Sequence, residues 1–161
     1  MKLVFTIIFY FMLSSNFAQN TKLYNPEADV SAAISQGIIK AKAENKHLLL
    51  QIGGNWCPLC IKFHKFCADD QDISTVIGKN YITIKVNYSK ENRNITELKK
   101  LDYPQRFGFP VFVILDSDGK RIHTQNSSYL EEDKGYSKKK VLDFLNQWTP
   151  AALNPDLYLD K

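Results

Sequence analysis

The pattern that most constrains the fold of this chain is a short apolar run that leads into two closely spaced cysteines. Residues 48–52 are apolar apart from Gln51 and are followed by Gly53-Gly54. A run of this length bounded by glycines favours a buried strand. Cys57 and Cys60 then open a segment whose apolar residues recur at helical spacing. The sequence therefore predicts a strand, a tight turn and a helix with a C-x-x-C pair at its N-terminus.

The rest of the chain predicts helices that alternate with strands. Apolar residues recur at helical spacing in some segments, and alternate or run together over strand length in others. The predicted helices are 26–45, 61–67, 72–77, 95–101 and 137–148, and the predicted strands are 47–52, 81–87, 111–115 and 120–124. Strands separated by helices imply parallel pairing, and the turn at 116–119 adds an antiparallel edge. We therefore predict an α/β fold, a three-layer α/β/α sandwich with a mixed central sheet.

The first eighteen residues have the pattern of a secretory signal peptide. Lys2 supplies a positive charge, residues 3–13 are almost wholly apolar, and Ala18 is a small residue suited to cleavage. The apolar run is too short for an ordinary membrane-spanning helix, and an uncleaved membrane anchor is the alternative. We therefore expect residues 1–18 to be removed from a periplasmic or secreted protein that has no stable membrane insertion.

Composition and charge exclude several classes of protein. The chain has 161 residues, of which 44% are hydrophobic, and this suits one compact domain that buries its own core. The formal net charge is only +4, and the run Lys138 to Lys140 is interpreted as a solvated helix face. Nucleic-acid binding is therefore not expected. Three cysteines are too few for a disulfide scaffold, so we expect them to serve chemistry.

Cys57 and Cys60 have the spacing and the placement of a redox pair. Two cysteines in C-x-x-C spacing at the start of a helix can reach disulfide geometry. The unpaired N–H groups and the dipole of the helix stabilise a thiolate there, so Cys57 is the better nucleophile. Cys60, one turn deeper, resolves the mixed disulfide. Pro58 suits the first helical turn and removes a donor near the Cys57 sulfur, and Trp56 adds an apolar surface beside it.

A structural zinc site is the alternative for the same cysteines. C-x-x-C spacing is common in zinc sites, and His64 and Cys67 follow on the same predicted helix. One continuous helix cannot place four ligands tetrahedrally around one ion, so we expect no metal. The role of Cys67 stays open: it is either a small buried hydrophobic residue or a third redox thiol.

Three segments together resemble the thioredoxin superfamily, in particular the exported thioredoxin-like proteins of bacteria. They are the glycine pair through the second cysteine at 53–60, Phe-Gly-Phe-Pro at 107–110, and the hairpin around 118–119 with the helix that follows it. The resemblance covers residues 27–149 and implies a thioredoxin-like fold for a single domain over 19–161. It implies a redox-active Cys57–Cys60 disulfide without an organic cofactor or a metal. It also implies that Pro110 is cis and that the backbone of Phe109 is offered to the substrate.

Two features depart from typical thioredoxins. Gln51 stands where those proteins carry a buried acid that helps proton transfer, and glutamine cannot ionise. Proton handling then falls to water, to Lys65 or to another group, or is slower. Pro58-Leu59 replaces the Gly-Pro dipeptide that tunes redox poise. Reductases, oxidases and isomerases share the motif, so the physiological direction stays open.

We therefore expect an exported, monomeric protein thiol–disulfide oxidoreductase. It would reduce or exchange disulfides in protein substrates and pass electrons to or from a redox partner protein. Trp56, Phe107 and Phe109 would form an apolar rim that receives an extended peptide. Two alternatives stay open: a binding or chaperone-like module with little turnover, and a thiol donor dedicated to one partner.

Overall fold

The computed structural model describes residues 22–159. The predicted signal peptide, with its cleavage site after Ala18, lies outside the described residues, as do residues 19–21 and 160–161. Among the helices of residues 22–159, none has the length and apolar character that crossing a membrane requires.

Five α-helices and a four-stranded sheet form the body of the described chain. The helices are α1 Val30–Glu44, α2 Pro58–Asp69, α3 Gln71–Asn80, α4 Ile95–Lys100 and α5 Lys138–Gln147. The strands of the sheet are β1 His47–Gly53, β2 Tyr81–Asn87, β3 Val111–Leu115 and β4 Arg121–Asn126. A small hairpin, β5 Glu131–Glu132 and β6 Gly135–Tyr136, precedes α5. Short 3-10 turns lie at Pro104–Phe107, Ser127–Leu130 and Pro155–Leu157.

Acidic caps set where two of the helices begin. The prediction of a helix from residue 26 is wrong by four residues, because the Asp29 side chain accepts the Ala32 N–H at 2.9 Å and caps α1 there. α3 begins at Gln71 because the Asp70 carboxylate accepts two N–H groups of the first turn. In both helices a short acidic side chain satisfies donors that have no partner within the helix.

The central sheet is mixed, as predicted, and its strand order is β2-β1-β3-β4. β1 and β2 run parallel, and β4 is the antiparallel hairpin partner of β3. The expected parallel pairing of β3 is wrong, because β3 runs antiparallel to β1. Val86, near the end of β2, and Val111, at the start of β3, pair with the same residue of β1. The connection over residues 88–110 therefore does not return to the start of the sheet, and β3 begins at the edge where β2 ends.

Two hydrophobic clusters cover the two faces of the sheet. Alternation along β1 sends Leu50 and Ile52 to one cluster and Leu49 to the other. The first cluster includes Ala41 of α1 and also takes residues from α4. The second includes Phe63 of α2 and also takes residues from α3 and α5. Helices therefore pack on both faces, which confirms the three-layer α/β/α architecture.

One edge of the sheet brings three loops together. Ile52, near the end of β1, pairs with Val86 near the end of β2 and with Val111 at the start of β3. The residues that follow β1 and β2 and those that precede β3 therefore meet at this edge. α2 starts five residues after β1 ends, so its N-terminus lies at the same edge.

Candidate active site

The two cysteines of the C-x-x-C segment form a disulfide where β1 passes into α2. Cys57 and Cys60 are bonded, and their Cα atoms lie 5.3 Å apart. Cys57 is the N-cap of α2, and its sulfur accepts the backbone N–H of Cys60 at 3.2 Å. Pro58 occupies the first helical turn, where a missing N–H costs no helical hydrogen bond. The Cys57 sulfur thus lies where the helix dipole favours a negative charge.

The two halves of the disulfide differ in their access to solvent. Cys57 is 4% exposed and Cys60 is 0% exposed. Trp56 and Leu59, which neighbour these cysteines in the chain, have exposed side chains. Cys57 is therefore the cysteine that borders the surface, whereas Cys60 has no exposed area.

Gln51 of β1 lies beneath Cys60 and binds three groups. Its side chain is buried. Its Nε2 donates to the Tyr24 hydroxyl at 2.8 Å and to the Cys60 carbonyl oxygen at 3.0 Å. Its Oε1 accepts from the Lys85 ammonium at 2.5 Å. Gln51 therefore fills the buried position without a charge and with both ends of its amide hydrogen-bonded.

Tyr24 is a site residue that sequence reasoning missed. It lies in the segment before α1, is fully buried, and packs with Cys57 and Cys60. Asn55 accepts the Tyr24 N–H at 3.1 Å and donates to the Tyr24 carbonyl oxygen at 2.7 Å. A single aromatic residue in a polar N-terminal lead carries no periodic signal, so the sequence pattern gave no reason to select it.

Lys85 of β2 is the second residue that sequence reasoning missed. Burial lowers the pKa of its ammonium group to about 8. It lines a cavity of about 360 Å³ beside α2 and α3. A signal existed, because pairing the two predicted parallel strands places Lys85 opposite Gln51. Lys65, which sequence reasoning offered for proton handling, is exposed on α2 and is not the lysine that binds Gln51.

The buried Lys85 is expected to make stability depend on pH in the alkaline range. Between pH 8 and the ordinary lysine pKa of 10.5, the unfolded chain still holds a proton that the folded protein has released. Stability therefore rises with pH across this window. In urea unfolding, the wild type should gain about 2 kcal/mol relative to Lys85→Met between pH 7 and pH 10. Lys65→Met, which changes an exposed lysine, is the matched control. If the free energy of unfolding varies with pH in the same way in the wild type and in Lys85→Met, the prediction is contradicted.

Three aromatic rings form the surface beside Cys57. Trp56 donates its indole N–H to the Tyr88 carbonyl oxygen at 2.6 Å. The Trp56 ring meets Phe109 edge-on, with their centroids 5.4 Å apart, and Phe109 lies 4.8 Å from the Tyr88 ring. Phe109 also packs against the buried cluster of Tyr24, Cys57 and Cys60. An aromatic surface of this kind can hold an extended peptide next to the reachable sulfur.

The segment before β3 contributes the other side of the site. The peptide bond between Phe109 and Pro110 is cis, as the resemblance implied. Pro110 is buried, and the Phe109 side chain is partly exposed. Phe107, expected in the aromatic rim, lies against the guanidinium of Arg106, 4.3 Å from its ring centroid. Tyr88, which sequence reasoning did not select, contacts Phe109 in addition to Trp56.

Cys67 and His64 lie on α2 apart from the disulfide. Cys67 is a buried free thiol, and burial raises its pKa to about 12. It is therefore protonated at neutral pH, which makes it a poor nucleophile and fits a small buried hydrophobe. His64 is exposed. Within residues 22–159, no three histidine, cysteine or acidic side chains are grouped as ligands for one metal ion.

Comparison with known families agrees with this geometry. A family model described as a thioredoxin-like domain matches residues 34–138, which is more than half of the chain. The chain belongs to the thioredoxin-like family. The match contains both the C-x-x-C segment and the Phe109–Pro110 bond, so the resemblance found in the sequence is confirmed. None of the curated proteins compared with the chain matches it.

Solved structures share the thioredoxin-like fold of this chain. A disulphide isomerase from Xylella fastidiosa Temecula1 is 25% identical, with a TM-score of 0.70, over 80% of this chain and 97% of that one. A protein described as DsbH oxidoreductase is 20% identical, with a TM-score of 0.52, over 74% of this chain and 82% of that one. The oxidised C-terminal domain of Neisseria meningitidis DsbD is 17% identical, with a TM-score of 0.54, over 74% and 96%. At these identities, the last two similarities concern the fold alone.

Proposed function

We propose that this protein is an exported thiol–disulfide oxidoreductase that acts on protein substrates through Cys57 and Cys60. The observation that carries the proposal is a disulfide at the N-terminus of α2, in which Cys57 is the helix N-cap and keeps a small exposed area while Cys60 has none. That placement favours a Cys57 thiolate, which is the species that attacks disulfides. The similar structure from Xylella fastidiosa is described as a disulphide isomerase, and this supports the same class of reaction.

The reaction needs only the two cysteines and a partner. In the reducing direction, the Cys57 thiolate attacks one sulfur of a substrate disulfide, and the other substrate sulfur leaves as a thiolate that takes a proton from water. Cys60 then attacks the Cys57 sulfur and breaks its bond to the substrate, whose second sulfur also leaves as a thiolate. The substrate gains two electrons, and Cys57 and Cys60 become the disulfide. A partner dithiol protein supplies two electrons to restore the pair, and oxidation of a substrate follows the same steps in reverse.

Residues around the cysteines would position the substrate. Trp56 and Phe109 would hold an extended peptide over the Cys57 sulfur, and the Phe109 backbone, fixed by Pro110, would pair with that peptide. Pro58 and Leu59, the two residues between the cysteines, would set the redox potential of the pair. Leu59 also accepts the Tyr136 hydroxyl through its carbonyl oxygen at 3.2 Å, which ties this turn to the body of the protein.

Export is the second part of the proposal. The charge at Lys2, the apolar residues 3–13 and the small Ala18 support a cleaved signal peptide. An oxidising compartment outside the cytoplasm would keep Cys57 and Cys60 disulfide-bonded until a partner reduces them.

One preparation tests both parts. The full chain is produced in bacteria, its mature N-terminus is sequenced, and the protein is equilibrated in glutathione and dithiothreitol buffers of graded potential. The protein is then denatured and its free thiols are alkylated and counted at each potential. We expect the thiols of Cys57 and Cys60 to appear together with a single midpoint potential, while the Cys67 thiol is present at every potential. The reduced protein should also speed the reduction of insulin disulfides by about tenfold or more over dithiothreitol alone. The midpoint assigns the direction, because reductases lie at the reducing end of the scale and oxidases at the oxidising end.

Two results would contradict the proposal. A pair that titrates but gives no acceleration with insulin or with several other protein disulfides would favour the binding module or the dedicated thiol donor. A mature chain that still begins at Met1 and stays with the membrane would contradict cleavage after Ala18.

A further inference from the structure

The hydroxyl group of Tyr24 lies at the redox centre. In the disulfide form it accepts a hydrogen bond but donates none to the described residues. Its oxygen accepts from Gln51 Nε2 at 2.8 Å. Among residues 22–159, no acceptor receives the Tyr24 O–H. The side chain is fully buried, and burial raises the pKa of the hydroxyl above its usual range, so the group keeps its proton. Because a buried donor without an acceptor is unfavourable, an acceptor is expected in another state of the site.

The sulfur of Cys60 borders the same space as this hydroxyl. A Cβ atom added to Gly53 would overlap the Cys60 sulfur and would lie 3.0 Å from the Tyr24 hydroxyl oxygen. In the disulfide form the Cys60 sulfur is bonded to Cys57, and such a sulfur is a weak acceptor. Once that bond opens, a Cys60 thiolate would carry a negative charge, and hydrogen bonds to charged acceptors are much stronger.

The side-chain hydrogen bonds behind Tyr24 run in one direction and end at its hydroxyl group. An ammonium group has donors and no acceptor, so the Gln51 atom that binds Lys85 is Oε1, and this turns Nε2 toward Tyr24. Donors therefore run in one direction, from Lys85 through Gln51 to Tyr24. In a buried site each such bond polarises the next, which makes the Tyr24 hydroxyl a stronger donor. Within residues 22–159, no carboxylate forms a hydrogen bond or ion pair with these three side chains.

We propose that the Tyr24 hydroxyl donates a hydrogen bond to the Cys60 sulfur when the Cys57–Cys60 bond is open, and so favours the thiolate that resolves the mixed disulfide. The inference deepens the proposed function and rests on it. The Cys60 thiol releases its proton to water, its sulfur forms the bond to Cys57, and the substrate sulfur leaves with the electron pair and takes a proton from water. Tyr24 keeps its own proton throughout. The Tyr24 hydroxyl thus favours the Cys60 thiolate by hydrogen bonding, at a site where Gln51 supplies no ionisable acid.

The test measures Cys60 ionisation directly, without requiring turnover. In a Cys57→Ser, Cys67→Ala background Cys60 is the only thiol left, and its pKa is read from the carbon chemical shift of its labelled Cβ. Adding Tyr24→Phe is expected to raise that pKa by about one unit, a tenfold loss of thiolate below the pKa. In the protein with all three cysteines, Tyr24→Phe should slow the resolution of a trapped mixed disulfide by about threefold, because a more basic thiolate is also more nucleophilic.

A matched control and an opposite perturbation complete the experiment. Tyr81→Phe also removes a buried hydroxyl, one that donates to the Leu145 carbonyl oxygen at 2.5 Å away from the disulfide. It should leave the Cys60 pKa unchanged. Replacing Tyr24 with 3-fluorotyrosine, a stronger donor of the same shape, should lower that pKa, and this arm stands even if Tyr24→Phe does not fold. If neither Tyr24→Phe nor 3-fluorotyrosine changes the Cys60 pKa, the inference is overturned. If the wild-type protein does not catalyse disulfide reduction, only the proposed function is overturned.

Discussion

Cys57→Ser is expected to lower the slope of the insulin-reduction rate against protein concentration by about 10³-fold or more, so that the observed rate falls to that of dithiothreitol alone. A serine hydroxyl at the N-cap of α2 does not ionise near neutral pH and cannot form a disulfide. Burial keeps Cys60 from replacing it, since that residue is 0% exposed. The measurement is the rate of insulin precipitation at several protein concentrations, because the slope against concentration separates catalysis from the dithiothreitol background.

The other two cysteines give the controls for this experiment. Cys60→Ser keeps the Cys57 thiolate and loses the resolving sulfur, so it should accumulate a mixed disulfide with insulin that non-reducing gels detect. Cys67→Ala, which changes a buried and protonated thiol on the same helix, should stay within about twofold of the wild-type rate. If Cys67→Ala loses as much activity as Cys57→Ser, the assignment of the redox pair is wrong.

Gly53→Ala is expected to lower the free energy of unfolding by about 2 kcal/mol and to impair the redox centre as well. The added methyl group would overlap the Cys60 sulfur and press on the Tyr24 hydroxyl. The cost is steric, since the position lies in the extended backbone of β1. Urea unfolding of the oxidised proteins measures the stability, and the insulin assay should show a drop of about tenfold or more in rate.

Gly78→Ala is the matched control for that substitution. Gly78 lies in α3, and an added Cβ would meet no atom within 4 Å. Alanine is favoured over glycine inside a helix, so this variant should gain about 0.5–1 kcal/mol without any change in activity. If Gly53→Ala and Gly78→Ala have the same free energy of unfolding, the Cys60 sulfur and the Tyr24 hydroxyl do not fill the space beside Gly53.

The sequence pattern was sufficient for the order of the main elements and for the two redox cysteines. Short apolar runs and helical periodicity are local signals, and they located β1, α2 and the C-x-x-C segment between them. The direction of β3 has no local signal in the sequence. It depends on the end of the sheet at which the connection from β2 arrives, and a rule that pairs strands in parallel across every helix gave the wrong answer there. The family resemblance of Phe109-Pro110 predicted the cis bond, which no residue pattern by itself indicates.

The surroundings of the cysteines were harder to predict because they depend on contacts between distant segments. Lys85 could have been found by aligning β1 with β2, which places it opposite Gln51. Tyr24 contacts Gln51 across 27 positions of sequence, and no periodicity links them. Tyr88 was missed in the aromatic surface for the same reason, since its position depends on where β2 ends beside Trp56.

The binding of Tyr24 to Asn55 has a mechanical consequence for the protein. Force applied to the N-terminal end of the described chain reaches this tyrosine before it reaches α1. The Tyr24 main chain forms two hydrogen bonds with the Asn55 side chain, and its hydroxyl accepts one from Gln51. These bonds, and then the one from Asn92 to the Pro26 carbonyl oxygen, must break before the helix is loaded. The redox centre is therefore the first part of the domain that such tension disturbs, and a tether or a fused domain at this end would alter the chemistry before it unfolds the protein.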